Sequence, residues 1–262
     1  MTDDILVDER DGIATVTLNR AQALNAMTPV LMGQLRDVVV ELDARREVRV
    51  IVFTGAGRAF SAGGDRNFLD SLSRMSAVEI AETVYANFQG AVKAVKLCNK
   101  PTIAAVNGAA VGAGCELAVA CDFRVVSADA KFIESWIHLG VIAPLGGMTL
   151  LPRLIGLGRA TEMLMLGKAV GGQEAVDIGL ASQCVPNEEL EDAVRTLAQR
   201  LAASPPLALR VFKAGLRRAA DSTLAAEWEA GLYAQSLLIG SNDFKEAVQA
   251  SLEKRTPTFT GQ

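Results

Sequence analysis

The chain has 262 residues, half of them hydrophobic and about a fifth charged, which is ordinary for a globular α/β protein. Its formal net charge of -4 leaves no basic excess to neutralise phosphates, so a nucleic-acid partner is excluded while a small anionic ligand is not. No apolar stretch is long enough to span a bilayer, and the start carries no basic segment with an apolar core, so neither a membrane partner nor a secretory signal is expected.

The cysteine and histidine content limits the chemistry further. The four cysteines show no C-x-x-C spacing, which favours reduced thiols in a cytoplasmic protein. His138 is the only histidine, so a multi-histidine metal site is excluded and no metal is expected.

Strand and helix patterns alternate through the first half of the chain. Strand-like runs around Ile5–Asp8 and Ile13–Asn19 flank an Asp11-Gly12 turn, and Thr28 is a good N-cap for a helix that runs to about Ala44. The same alternation continues with a strand at Val48–Phe53, a loop at Phe60–Asp65, helical sequence to about Leu97, a strand at Pro101–Val106, a turn at Gly108–Gly114, a helix at Cys115–Ala120 and a strand at Phe123–Val126. This order predicts a layered α/β core with parallel strands.

From Leu150 onward the sequence becomes mainly helical, and the final helix is predicted from about Asn242 to Lys254. No linker separates independent domains. We therefore expect an α/β core over residues 1–195 and a C-terminal helical region over 196–262 that belongs to the same structural unit.

Two glycine-rich turns carry the chemistry. Gly63-Gly64 and Gly112-Ala113-Gly114 each follow a strand and precede helical sequence, so backbone N–H groups are left beside positions without bulky side chains. Two such donors aimed at one oxygen form an oxyanion hole. Gly108–Gly114 also resembles a dinucleotide-binding turn, but it lies mid-chain, no acidic residue closes the next strand, and no Tyr-x-x-x-Lys pair is present.

The residues around these turns resemble a known family along essentially the whole chain. Phe60-Ser61-Ala62-Gly63-Gly64-Asp65 is similar to the Phe-x-Ala-Gly-x-Asp loop of the enoyl-CoA hydratase/isomerase (crotonase) family. The second signature of the family is matched by Ala105–Gly108, Gly112–Ala118 and Cys121-Asp122. Further matches to the family lie at Ala23–Ala26 and from Glu253 to Phe259. The resemblance implies a spiral of ββα units with a C-terminal helical trimerisation region.

The resemblance also implies a set of binding residues. The oxyanion donors would be the N–H groups of Gly64 and Ala113. Ala23, Ala62 and Asp65 would line the path of the coenzyme A moiety, although Asp65 is an equally good helix N-cap. Basic residues of the last helix, Lys245 and Lys254-Arg255, would lie near the CoA phosphates or simply be solvated.

The acid/base residues are where this chain departs from the family. Hydratases of the family carry two glutamates, and Glu116 matches the first of them. The alternative for Glu116 is a non-catalytic role as a surface residue in the first turn of a helix, where the helix dipole favours a negative charge. Trp136 occupies the second position, where an indole donates only its N–H. Glu134 or His138 is the candidate replacement, because in extended backbone both would point to the side of Trp136. Trp136 itself would form a wall of the acyl pocket or pack in the core or at an oligomer interface.

These expectations lead to an acyl-CoA enzyme that stabilises a thioester enolate. The favoured activity is 2-enoyl-CoA hydration with Glu116 and Glu134. The alternatives are a double-bond isomerase that uses Glu116 alone and a non-catalytic acyl-CoA-binding protein. The partners expected from the resemblance are an acyl-CoA substrate and further copies of the chain, in a trimer or a dimer of trimers. No cofactor is expected beyond the CoA of the substrate.

Overall fold

The computed structural model describes residues 4–219 and 221–262. The strands in these residues are β1 (Ile5–Arg10), β2 (Ile13–Leu18), β3 (Val50–Gly55), β4 (Ala59–Ser61), β5 (Thr102–Val106), β6 (Ala109–Val111), β7 (Phe123–Ser127), β8 (Lys131–Ile133), β9 (Val170–Gly171) and β10 (Gln183–Val185). The α-helices are α1 (Pro29–Ala44), α2 (Arg66–Leu72), α3 (Ala77–Ile80), α4 (Gly90–Leu97), α5 (Ala113–Ala120), α6 (Gly147–Ile155), α7 (Leu157–Leu166), α8 (Gly172–Asp177), α9 (Leu190–Ala202), α10 (Pro206–Ala219), α11 (Leu224–Ile239) and α12 (Asn242–Glu253). A π-helix (Ala81–Gln89) joins α3 to α4, and short 3₁₀-helices cover Ala21–Ala23, Ser135–Leu139 and Asn187–Glu189.

The strands form two sheets that the chain visits in turn. The larger sheet has the order β1-β2-β3-β5-β7-β10 and the smaller one has the order β4-β6-β8-β9. β3, β5 and β7 are parallel neighbours in the larger sheet, and each is followed within a few residues by a strand of the smaller sheet. The chain therefore winds as a spiral of strand–strand–helix units, as the resemblance implies.

Alternate residues of the larger sheet face two different apolar layers. Ile51, Phe53 and Ala104 face the main core together with α1, α4 and α5. Val50, Val52 and Ile103 point the other way and pack against Leu190, Val194 and Ala198 of α9. Burial on both faces explains why these strands are apolar runs without a polar alternation.

Several local predictions are confirmed. The Thr28 side chain accepts a hydrogen bond from the Leu31 N–H at 3.2 Å and caps α1, and Asp65 caps α2 through the N–H groups of Asn67 and Phe68. The predicted turn at Gly108–Gly114 is wrong in part, because Ala109–Val111 forms β6. The predicted loop at Phe60–Asp65 likewise contains the end of β4. These strands have three residues each, too short to show a periodicity of their own.

The C-terminal helices expose much of their apolar surface. Neither α10 nor α11 contains a buried residue. Large side chains on them are mostly exposed, among them Leu216 (75%), Trp228 (70%), Leu232 (65%) and Leu237 (79%). The predicted boundary between residues 195 and 196 falls inside α9, which packs on the larger sheet, so we propose that the separate helical region begins with α10. None of the helices in the described residues has the length and hydrophobicity needed to cross a membrane.

Candidate active site

The first glycine-rich turn is tied to the segment that precedes α1. The Ala62 N–H donates to the Leu24 carbonyl at 2.8 Å, and the Met27 N–H donates to the Gly63 carbonyl at 2.7 Å. The buried Asn25 side chain supports the same region from below, since its Nδ2 donates to the Ala59 carbonyl at 2.8 Å. Ala23, at the end of a 3₁₀-helix beside Leu24, and Ala62 are both half-buried here.

Asp65 is fully occupied by this scaffold. Besides capping α2, its carboxylate pairs with Arg20 Nη2 at 3.1 Å. Burial opposes ionisation, but hydrogen bonds from the Phe68 N–H and the Arg20 guanidinium outweigh it and lower the pKa of Asp65. The helix-cap interpretation therefore accounts for this side chain.

The two turns are packed against each other at distances that require glycine. Gly63 has φ +85°, and a Cβ atom there would lie 2.6 Å from the Val111 carbonyl oxygen and 3.7 Å from the Ala113 nitrogen. A Cβ atom on Gly114 would lie 2.7 Å from the Ser61 Cβ. Since neither position has room for a side chain, glycine is what brings the first turn against the start of α5.

Two backbone N–H groups are free at this junction. Met27 and Gly64 form a parallel bridge whose hydrogen bonds use the N–H of Met27 and of Asp65, so the Gly64 N–H takes no part in it. Ala113 is the first residue of α5, so its N–H has no carbonyl one turn earlier in the helix. Among the described residues neither N–H has an acceptor. The predicted oxyanion donors are therefore brought together and left unused by the fold.

Glu116 lies in the first turn of α5 and is 1% exposed, so it is not the surface glutamate that its helix position alone would allow. Its Oε1 accepts hydrogen bonds from the N–H groups of Leu145 at 2.9 Å and Gly147 at 2.7 Å, and its Oε2 has no partner among the described residues. Burial, with the nearby charge of Glu134, raises the pKa of Glu116 to about 8, although the backbone N–H groups around Oε1 act in the opposite direction.

Glu134 is the second buried carboxyl group of the site, with no exposed surface. Burial raises the pKa of Glu134 to about 7, partly offset by the polar groups of Cys115 and Trp136 close to it. Neither of its oxygens makes a hydrogen bond to another described residue. Because two neighbouring carboxylates in a dry environment resist ionising together, the pair holds a proton near neutral pH.

The extended geometry expected for the segment around Trp136 is wrong. β8 ends at Ile133, and Ser135–Leu139 turns into a 3₁₀-helix, so residues two apart no longer share a face. Glu134 nevertheless reaches the site because it stands at the junction. His138 does not, since it is exposed and lies against Gly167 at the end of α7. The half-buried indole of Trp136 packs on Gly112, where a Cβ atom would lie 3.6 Å from Trp136 Cε2.

Other site residues were absent from the sequence-based set. The N–H donors of Leu145 and Gly147 hold Glu116 from the start of α6, and a Cβ atom on Gly147 would come within 3.0 Å of Glu116 Oε1. The Gly146-Gly147 pair was the available signal. No sequence signal marks Cys115, because a cysteine at an apolar helix position looks the same in sequence whether or not its side chain contacts a carboxyl group. Arg255, expected near CoA phosphates, is bound by Glu246 and Glu253 at 2.6 Å each.

Cavity volume does not mark this site. A cavity of about 690 Å³ lies between α10 and the core, lined by residues such as Val119, Phe123 and Leu216 and by none of the predicted site residues. The candidate active site is identified by its unpaired polar groups, because a groove between exposed helices can have a large volume without containing any reactive side chain. In the described residues no group of three His, Cys, Asp or Glu side chains is arranged to hold a metal ion.

Comparison with known proteins gives the class. The two-sheet spiral is the crotonase fold: an enoyl-CoA hydratase structure from Bacillus anthracis superimposes with a TM-score of 0.94 at 31% identity, covering 99% of this chain and all of that one. The sequence profile described as enoyl-CoA hydratase/isomerase matches residues 8–262.

Curated relatives agree in class and differ in reaction. Crotonyl-CoA hydratase of Syntrophomonas wolfei is 34% identical over 258 residues, 98% of both chains. The 1,2-epoxyphenylacetyl-CoA isomerase of Escherichia coli K12 is also 34% identical, over the full length of both. The chain belongs to the enoyl-CoA hydratase/isomerase family, and its place is among enzymes that process acyl-CoA thioesters.

Proposed function

We propose that the protein is an enoyl-CoA hydratase that adds water across the double bond of a 2-enoyl-CoA. The observation that carries this proposal is the presence of two buried carboxyl groups, Glu116 and Glu134, with raised pKa values beside the free N–H groups of the glycine-rich turns. Hydration needs one group to accept a proton and another to donate one, and a buried pair with pKa values near neutral supplies both.

The proposed reaction follows from the placement of these groups. The N–H groups of Gly64 and Ala113 bind the thioester carbonyl oxygen and stabilise the enolate that forms when the C3 carbon is attacked. Glu134, neither of whose oxygens has a partner among the described residues, takes a proton from the water molecule as the water oxygen bonds to C3. Protonated Glu116 then delivers its proton to C2, and proton exchange between the two carboxyl groups restores the starting state. Anchoring of Oε1 by Leu145 and Gly147 leaves Oε2 of Glu116 for this transfer.

A double-bond isomerase is the second candidate. It is favoured by Trp136, which stands where the family resemblance places the second glutamate, and by the similarity to an isomerase over the whole chain. In that reaction Glu116 alone would remove a proton from C2 and return it at C4. A non-catalytic acyl-CoA-binding protein would keep the two turns and use neither carboxyl group.

The three candidates are separated by assays of crotonyl-CoA hydration and 3-enoyl-CoA isomerisation on wild type, Glu116→Ala and Glu134→Gln. A two-carboxylate hydratase loses about 10²–10⁴ in hydration kcat in either variant, the usual contribution of an acid or base. Glu188→Gln, a change of an exposed glutamate, is the matched control. Isomerisation that depends on Glu116 and ignores Glu134 would favour the isomerase, and CoA-ester binding without turnover would favour the binding protein.

We further propose that the protein is a homo-oligomer, a trimer or a dimer of trimers. Support comes from the apolar side chains that α10 and α11 expose, since a monomer rarely leaves so many large apolar groups in water. CoA would follow the half-buried Ala23 and Ala62 into the site, past the capped end of α2. We also propose that the assembly is cytoplasmic and that it needs no cofactor beyond the CoA of its substrate.

A further inference from the structure

The unpaired polar atoms of the described residues are concentrated in one place. Among all described residues, six buried side-chain oxygen or nitrogen atoms lack a hydrogen-bond partner. Four of these six belong to the site: Glu116 Oε2, both carboxyl oxygens of Glu134, and Trp136 Nε1. A buried polar atom without a partner is costly, so natural proteins keep few of them. Four at one site indicate a small polar ligand that all three side chains contact.

The indole N–H is placed to meet such a ligand beside the oxyanion turn. Trp136 Cε2, the ring atom bonded to Nε1, is 3.6 Å from the Cβ position of Gly112, the residue before Ala113. Glu116 follows on the same helix, with its N–H bonded to the Gly112 carbonyl at 2.9 Å. The indole also lies beside Glu134, where its N–H group favours the ionised form of the carboxyl group and lowers its pKa.

The chemistry of the three side chains restricts what the ligand can be. The indole only donates a hydrogen bond, while an ionised carboxylate only accepts them. A carbonyl or thioester oxygen could accept a hydrogen bond from the indole and from protonated Glu116, but it has no proton to donate to ionised Glu134. A hydroxyl-type oxygen can accept from the indole and donate to the carboxyl groups, and water, with two protons and two lone pairs, can do so while one lone pair remains to attack carbon.

We propose that Trp136 is a substrate-site donor whose indole N–H, together with Glu116 and Glu134, binds the oxygen that is water before addition and the 3-hydroxyl group of the product afterwards. This inference rests on the proposed hydratase activity and deepens it. In the step, the water lone pair forms the O–C3 bond, one water proton passes to Glu134, and the C2=C3 π electrons pass through the enolate to take the proton of Glu116. The product then keeps the oxygen where the indole N–H already points.

The test compares the affinities of butyryl-CoA and 3-hydroxybutyryl-CoA, which differ by the hydroxyl group, in wild type and Trp136→Phe. Trp228→Phe is the matched control, because Trp228 is the other tryptophan of the chain, lies on α11 outside the candidate site, and is replaced by a side chain that stays aromatic on the face proposed for the oligomer interface. We expect wild type and the control to bind the hydroxylated ester more tightly. Trp136→Phe should lose about 3- to 10-fold for that ester alone, the usual range for one hydrogen bond. Hydration kcat should fall by a similar factor with KM nearly unchanged.

The arms of the experiment separate the sources of the oxygen. Loss of the hydroxyl preference in Trp136→Phe supports the proposal, whereas a fall in hydration kcat with the preference intact overturns it, because the indole then contacts water but not the product hydroxyl group. Equal weakening of both esters, or no change in affinity and kcat, overturns the proposal, because the ring then only packs. Failure of wild-type protein to bind either ester overturns the proposed function itself.

A second measurement keeps residue 136 intact in case Trp136→Phe does not fold. In the Trp228→Phe variant Trp136 is the only tryptophan, so fluorescence reports on its indole directly. We expect 3-hydroxybutyryl-CoA to shift the emission to longer wavelength more than butyryl-CoA does, as a new hydrogen bond to the indole N–H requires. Identical spectra with the two bound esters overturn the proposal.

Discussion

Replacing Glu116 by glutamine should make the protein more stable at alkaline pH while it removes the proposed proton donor. Glutamine keeps the Oε1 acceptor for Leu145 and Gly147 and is neutral like the protonated acid. In wild type the pKa of Glu116 is raised from 4.5 to about 8 in the folded state. The folded protein therefore holds a proton that the unfolded chain releases, and stability is lost as pH rises from about 4.5 through about 8.

The size of the effect follows from the two pKa values. At about 1.4 kcal/mol for each pH unit that separates them, wild type should lose about 3 kcal/mol between pH 5 and pH 8 because of this group. Urea unfolding of both proteins at one protein concentration measures it, with Glu188→Gln as the exposed control. The free energy of unfolding should be similar for wild type and Glu116→Gln at pH 5, and the variant should be about 3 kcal/mol more stable at pH 8. Parallel pH profiles would refute the buried, protonated state inferred for Glu116.

Three further outcomes test the scaffold. Gly63→Ala should lower the free energy of unfolding by about 2 kcal/mol or more and abolish turnover, because of its positive φ and the clash with the Val111 carbonyl; Gly158→Ala in α7, with nothing near the new methyl group, should be neutral or slightly stabilising in the same thermal melts. Asp65→Ala should cost about 1 kcal/mol as a lost cap and Asp65→Asn less, with CoA-ester affinity unchanged in both by calorimetry; a selective loss of affinity would make Asp65 a ligand contact. Leu232→Glu on α11 should reduce the oligomer seen by light scattering, and an unchanged mass would remove this face from the interface.

Much of the site could be predicted from sequence because it is built from backbone. The turn glycines, the helix caps and the order of strands are local features of the sequence. Gly63, Gly112 and Gly114 indicate the close approach of two loops even when the positions of the other elements are not known. The helix cap at Asp65 can be predicted for the same reason, since it depends on residues two and three positions away.

The short strands and the surroundings of Glu134 could not be predicted in this way. β4, β6 and β8 are strands only because they pair with one another, since a segment of three residues has no pattern of its own. The change from strand to 3₁₀-helix at Ser135 separated His138 from the site and kept Glu134 in it. Counting alternate residues along an assumed strand places both Glu134 and His138 beside Trp136, whereas in the structure only Glu134 is buried near Glu116 and His138 is exposed.

The sequence by itself determined the family and the positions of the two glycine-rich turns, and it singled out Glu116 as a candidate acid/base residue. Motif spacing and the need for glycine in a turn can be recognised without the tertiary structure. Only the tertiary structure decided that Glu134 and Glu116 are buried together, that Leu145 and Gly147 anchor one of them, and that the Trp136 indole faces the pair without a partner. The ionisation of a carboxyl group depends on water and charges within a few ångströms, and those neighbours come from segments far apart in the chain.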